Sequence, residues 1–195
     1  MRLCDWPFGD LEAQSFDLIM ADPPWTFEIR SEKGAEKSAQ AQYACMDIDA
    51  IKALPVLDLA APDCILWLWA TNPMLPQGLA VLAAWGFTFK TAGSWGKTTP
   101  GGNLAFGTGY ILRSANEPFL IGTRGAPATS RSVRSLIMAP RREHSRKPDE
   151  AFAAAETLMP HARRVELFSR TERPGWATWG NEVGKFGAVT AEAAG

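Results

Sequence analysis

The apolar run Phe16-Asp17-Leu18-Ile19-Met20-Ala21 is stopped at once by Asp22-Pro23-Pro24, and this stop constrains the chain more than any other feature. Two consecutive prolines donate no ladder hydrogen bonds, so a strand must end there and a loop begin. Further along, Cys64-Ile65-Leu66-Trp67-Leu68-Trp69-Ala70 is apolar throughout, as suits a strand covered on both faces. Asp47 can cap a helix running to about Leu54, with Ile48, Ile51 and Leu54 on one apolar face. The pattern predicts a second helix from about Leu75 to Trp85, ended by Gly86, then a strand from Phe87 to about Trp95. Phe119–Gly122, Leu136–Met138 and Arg164–Phe168 read as further strands, and Pro148 suits the first position of a helix continuing to Met159. Strands alternating with helices of 8 to 12 residues point to one α/β domain with a largely parallel sheet. In such a sheet ligands sit at the carboxyl ends of strands, which is where the Asp-Pro-Pro-Trp loop lies.

The segments Glu28–Gln42 and Thr98–Gly109 read as loops, the second holding four glycines and a proline. Residues 1–186 fit a single catalytic domain, and 187–195 read as a frayed, Ala/Gly-rich tail. At 195 residues, 46% hydrophobic and 21% charged, the chain can close a substantial core. It contains no run of about 18 apolar residues, which excludes a membrane helix. Its first residues show no secretory signal. Cys4, Cys45 and Cys64 are scattered, no CxxC pair exists, and His144 and His161 are the only imidazoles. That usage fits reduced thiols in a cytoplasm and argues against a metal site.

The net charge of −1 does not by itself suggest a nucleic-acid partner, but its distribution is uneven. Arg124, Arg131, Arg134, Arg141, Arg142, Arg146 and Lys147 face a single acid, Glu143, across that stretch. Two readings stand: a solvated loop, or a stripe that contacts phosphates, with Arg141 and Arg142 as the backbone-contacting candidates.

The Asp-Pro-Pro-Trp loop has a chemical reading of its own. The exocyclic amine of adenine is a poor nucleophile, because its lone pair is delocalised into the ring. A site that methylates it should accept hydrogen bonds from both N–H groups. Asp22 offers a carboxylate, Pro23 offers a carbonyl with no competing donor, Pro24 stiffens the loop, and Trp25 offers a face for stacking. A base in duplex DNA would have to leave the helix to reach such a pocket. Taken alone, the same four residues read more readily as a turn followed by a core aromatic.

Asp22-Pro23-Pro24-Trp25 resembles the catalytic motif of the MT-A70 family of adenine-N6 methyltransferases, and the likeness continues along the chain. Cys64–Trp69 with Thr71-Asn72, Trp85-Gly86-Phe87, Trp95-Gly96-Lys97, Asn116-Glu117 and Leu120-Ile121-Gly122 are similar to the family's middle region. His144-Ser145-Arg146-Lys147-Pro148-Asp149-Glu150, Val165-Glu166-Leu167-Phe168-Ser169-Arg170, Gly175-Trp176 and Trp179-Gly180-Asn181-Glu182 resemble its C-terminal third. The resemblance implies a Rossmann-like, three-layer α/β/α fold. It is circularly permuted, with the catalytic motif ahead of the elements that bind S-adenosyl-L-methionine. It also implies transfer of a methyl group to adenine N6 in nucleic acid, DNA being favoured and RNA the alternative. A non-catalytic partner subunit is a further alternative, although such subunits lose the acid or aromatic that Asp22 and Trp25 retain here.

Residue by residue, the resemblance puts Asp22 at both the target amine and the cofactor's methionine end, and Lys147 near the cofactor carboxylate. Asp5 by side chain and Trp6 by backbone would hold the cofactor's adenine. Arg170, Asn181 and Glu182 would line the ribose, and Glu166 would touch cofactor or orient Arg170. Tyr43 and Glu117 fall at acceptor-pocket positions; alone, they would read as a half-buried tyrosine and a solvated turn acid. Two departures stand out. No glycine-rich cofactor loop follows Val165–Phe168, and Thr171-Glu172-Arg173 does not reproduce the family's polar set. With the chain used up by the catalytic domain, target choice would fall to the loops or to a partner, homo-oligomeric or otherwise.

Overall fold

The computed structural model describes residues 6–25, 45–109, 111–142, 146–185 and 187. Phe16–Ala21 forms β1, and every residue from Leu18 to Ala21 is buried. Six further strands join it: β2 (Ala60–Trp69), β3 (Thr88–Thr98), β4 (Asn116–Arg124), β5 (Leu136–Pro140), β6 (Arg164–Leu167) and β7 (Trp176–Trp179). Their order across one sheet is β5-β3-β4-β2-β1-β6-β7. The pairs β1·β2, β1·β6, β3·β5 and β6·β7 are parallel, while β4 is antiparallel to both β2 and β3. Six strands therefore end at one edge of the sheet, and at that same edge β4 begins.

The two-residue alternation of a pleated strand sends side chains to both faces, and both are apolar here. Ile19, Ala21, Leu66, Leu68, Val165 and Leu167 form one core with Ile51 of α1 (Ile48–Lys52) and Val81 and Leu82 of α2 (Leu75–Ala84). Leu18, Met20, Ile65, Trp67 and Trp69 form the other core with Ala151, Phe152 and Ala155 of α3 (Asp149–Leu158). The expected three layers are present, but the helices are few. The chain first builds the β2–β5 half of the sheet and only then returns to the far side of β1 with β6 and β7. That is the permuted order, with the strand carrying Asp22 before the β6–β7 half.

Several boundaries differ from expectation for identifiable reasons. β2 starts at Ala60, four residues early, because a register shift against β1 accommodates Pro62 and Asp63 within the strand. β7 is four residues long and lies between Gly175 and Gly180, too short for a periodic signal. Asp47 occupies the N-cap of α1 but its side chain makes no capping bond. Pro148 sits one position ahead of the first helical residue of α3, in extended backbone.

In the paired strands β3 and β4, Gly93 lies opposite Phe119, whose ring stacks on Trp67 with centroids 4.1 Å apart. A Cβ on Gly93 would collide with the Phe119 ring and lie 2.5 Å from the Ser135 carbonyl oxygen. Gly93→Ala should destabilise the fold by about 1–3 kcal/mol, seen as a lower urea midpoint with an unchanged slope. An unchanged midpoint would show that this aromatic stack tolerates displacement.

Candidate active site

Asp22 is the first residue beyond β1, and its N–H reaches the Leu167 carbonyl at the end of β6 (3.4 Å). The two prolines turn the chain away from the sheet. The Trp25 N–H donates to the Pro23 carbonyl (2.8 Å), and the Met46 N–H donates to the Pro24 carbonyl (2.9 Å). The expectation of a Pro23 carbonyl without a competing donor is thereby corrected: a tight turn uses one lone pair and leaves one. Trp25 is also corrected. It is 3% exposed and packed in the α1/α2 core, so its ring braces the loop instead of presenting a stacking face.

Lys147 immediately precedes the N-cap of α3, and its side chain is only 6% exposed. Its Nζ lies 2.6 Å from Asp22 Oδ2, 2.8 Å from Glu117 Oε1 and 5.4 Å above the Trp69 ring. Glu117, at the beginning of β4, uses its other oxygen to hold Lys97 Nζ at 2.6 Å. Four charges of alternating sign thus run Asp22, Lys147, Glu117, Lys97. Each carboxylate contacts a lysine, which is the condition for keeping charges in a protein interior. Burial, reinforced by the Glu117 charge, raises the Asp22 carboxyl against the pull of Lys147. For Glu117 burial acts in the same sense, yet Lys147 and Lys97 together hold it below the usual range. Burial disfavours the charged Lys147, but its two carboxylate partners prevail and keep it protonated. The solvated readings of Lys147 and Glu117 do not survive this geometry.

Three spaces surround this cluster. A cavity of about 190 Å³ opens beyond β1, β6 and β7, lined by Asp22, Pro24, Phe168, Arg170, Asn181 and Glu182. Arg170 Nε pairs with Glu182 Oε2 at 3.2 Å, so the predicted ribose-lining residues stand together. An adjoining recess of about 30 Å³ is reached by Asp22, Lys147, Glu166 and Arg173. Glu166 accepts a hydrogen bond from the Ser169 hydroxyl (2.7 Å), not from Arg170. Burial pushes its carboxyl up to about 7, although the Ser169 bond opposes this. On the other side, an open cleft of about 1310 Å³ is walled by Thr71, Asn72, Gln77, Lys97, Ser114 and Glu117. The buried Thr71 Oγ1 and Gln77 Oε1 have no partner there.

Thr71, Gln77 and Lys97 are residues that sequence reasoning missed as site members. Only Lys97 and Thr71 carried a signal, as parts of motifs quoted for other reasons. Phe168 is another: it lines both smaller spaces at φ +62°, a left-handed conformation costly outside glycine. It occupies the turn where glycine-rich loops serve other nucleotide folds. Trp6 does not line the cavity. Its indole donates to the Leu11 carbonyl (3.0 Å), and it reaches the wall through Phe8 and Trp179. Asp5 and Tyr43 lie outside the described residues. Thr171, the first of the departing set, is buried with its carbonyl on the Ser169 hydroxyl, and Arg173 is held by Asp149 at 2.6 Å.

The basic stretch divides: Arg131, Arg134 and Arg141 are exposed, Arg124, Arg142 and Arg146 are half-buried, and Lys147 is buried. Arg124 donates to the Leu57 and Ala60 carbonyls, and Arg146 pairs with Asp149. Arg142 pairs with Asp149 at 2.9 Å and approaches Glu150, which corrects its assignment as an open phosphate contact. Arg141 stays exposed at the sheet's carboxyl edge, where its N–H donates to the Thr98 carbonyl. No helix among the described residues is long and apolar enough to cross a membrane.

The family model MT-A70 matches residues 16–182. A type II methyltransferase of a Mycoplasma species is 30% identical over 198 residues, covering 92% of this chain and 82% of the relative. An N(6)-adenosine-methyltransferase MT-A70-like protein of Arabidopsis thaliana is 33% identical, covering 87% of this chain and 24% of the relative. An N(6)-adenine-specific methyltransferase of Homo sapiens is 29% identical, covering 89% and 38%. The chain therefore spans most of the bacterial relative and well under half of the other two. The chain belongs to the MT-A70 family of adenine-N6 methyltransferases.

Proposed function

We propose that this chain transfers a methyl group from S-adenosyl-L-methionine to N6 of adenine in nucleic acid. DNA is the acceptor we favour, because the type II methyltransferase is a relative whose length the chain nearly spans. The observation that carries the reading is Asp22, half-buried in the wall of the small cavity and braced by Lys147, whose other partner, Glu117, lines the open cleft.

The residues around the small cavity suit such a cofactor. Arg170 and Lys147 suit a carboxylate, Glu166 and Asp22 a cationic amine, and Asn181 and Glu182 ribose hydroxyls. When bound, the cofactor supplies an electrophilic methyl on a sulfonium. Asp22 accepts one N–H of the adenine amine, and the remaining lone pair of the Pro23 carbonyl accepts the other. Because burial raises its basicity, Asp22 is a stronger acceptor than a solvated aspartate. Lys147 keeps Asp22 and Glu117 from repelling each other and fixes the Asp22 carboxylate. Thr71 and Gln77 meet the base edge in the cleft, and Asp22 is the nearest acceptor for the proton the amine finally loses. The buried Cys64 thiol fits a cytoplasmic setting.

Asp22→Asn keeps the shape but presents an NH2 group to the amine. Methyl transfer should fall by about 10²–10⁴-fold, in a labelled-methyl assay on DNA and RNA with digestion to the modified base. Turnover near the parent level would overturn the mechanism.

Glu166 makes a pH prediction. Its carboxyl is raised to about 7 in the fold, above an unfolded value of roughly 4.3. The native state therefore binds more protons between these values, and stability falls as pH rises from about 4.5 to 7. Glu166→Gln should remove that slope in thermal melts, and a bound cationic ligand should flatten it in the parent. A slope indifferent to the substitution would refute the assignment.

Arg141→Gln should lower the slope of log affinity against log salt by about one, and Arg142→Gln should leave it near the parent value. A slope unchanged by Arg141→Gln would return the stretch to a solvated loop.

A further inference from the structure

The segment 99–115 between β3 and β4 is tied down at its base. Ala105 N–H donates to the Lys97 carbonyl and Lys97 N–H to the Ala115 carbonyl, both at 2.8 Å. Further out, Gly107 N–H reaches the Ser114 carbonyl (3.0 Å) and Ser114 N–H the Thr108 carbonyl (3.3 Å). A Cβ on Gly109 would collide with the Leu112 carbonyl oxygen, and one on Gly107 would lie 2.5 Å from that of Ser114. The backbone crosses itself so closely that only glycine fits. From this knot Ile111 and Leu112 project at 86% and 81% exposure, and Phe106, earlier in the same segment, is 78% exposed.

Three large apolar residues held in water by a pinned loop forgo the burial that such side chains favour. Such a cluster with a polar rim marks a contact surface. Ile111 and Leu112 stand at the rim of the cleft whose buried Thr71 and Gln77 oxygens lack partners. A base reaches those atoms only after leaving its stack, and the gap it leaves is apolar on both faces. The surrounding charge matches a nucleic-acid backbone. Arg113 follows Leu112 directly, with its guanidinium 5.5 Å from the Phe106 ring, and Arg141 lies at the end of β5 beside Thr98. Among the described residues neither arginine pairs with a carboxylate.

We infer that Ile111 and Leu112 form a wedge that enters a DNA duplex beside the target and fills the place left by the extruded adenine. The inference rests on the adenine-methyltransferase reading and deepens it: the acceptor is double-stranded, and the loop does the work of opening it. Arg113 and Arg141 hold the flanking phosphates while the wedge keeps the stack apart.

The test compares the parent with the double variant Ile111→Ala, Leu112→Ala on one adenine-containing sequence, offered as a single strand, a matched duplex and a duplex mismatched at the target. Both side chains are exposed, so the fold is not at stake; a thermal melt checks this. The ratio of duplex to single-strand kcat/KM should fall about tenfold or more, the penalty of an unaided few kcal/mol of unstacking. The mismatch, which opens without help, should restore most of the loss. 2-Aminopurine at the target of the matched duplex should brighten with the parent and stay dark with the variant. An unchanged ratio overturns the wedge while leaving adenine methylation standing. So does an equal loss on all acceptors with conversion of a dimer to monomer in sedimentation, which would make the loop a contact between copies. A parent inactive on every acceptor would instead refute the underlying reading.

Discussion

One ammonium group, Nζ of Lys147, ties together three stretches of chain at the carboxyl edge of the sheet. It bonds Asp22 beyond β1 and Glu117 at the start of β4 from its own place ahead of α3. Without it, the half-buried Asp22 and the buried Glu117 carboxylates would face each other with one counter-charge lost, which destabilises the cluster. The arrangement exceeds what stability alone requires, since packed apolar side chains would hold these elements as well. Its distinctive product is an aspartate of raised basicity that is fixed in place and open to a cavity.

That contact depends on a detail of topology. Had β4 run parallel to its neighbours, Glu117 would lie at the amino-terminal edge of the sheet, far from Asp22. Because β4 alone is reversed, its first residues arrive where the other six strands end. The register places Glu117 opposite Trp95, so Lys97, two residues further along β3, can reach it. A single antiparallel strand thereby supplies the acid that completes the charge sequence.

The strands were legible where long apolar runs made them so: β1 was read to its last residue, because prolines announce its end. Short or interrupted strands were not, since β7 has only four residues and β2 carries Pro62 inside it. The site divides in the same way. Asp22, Lys147, Arg170, Asn181 and Glu182 were named through motif resemblance, and the structure brings them together around one cavity and recess. The partnership of Glu117 with Lys97 was hidden, because it requires knowing that β4 is reversed and in what register. Trp25 was misjudged because an aromatic after a loop can face the ligand or the core, and nothing local distinguishes the two. Arg142 was misjudged because its partner Asp149 lies on the next helix, beyond what a count of charges can see.

The permuted order gives the burial of Trp25 a reason. β1 stands between a half-sheet made before the chain returns and a half-sheet made after, so its loop has no covalent neighbour on the β6 side. On that side its backbone is bonded through the Asp22 N–H to Leu167. Lys147 fixes the carboxylate itself, and misplacement of about 1 Å can cost a hundredfold in rate. Trp25 adds a restraint on the backbone from the other direction. Its ring is buried against the α1 side of the core, while the Pro24 carbonyl is bonded by Met46 just ahead of α1. The aromatic of the Asp-Pro-Pro-Trp sequence thus anchors the loop that carries Asp22.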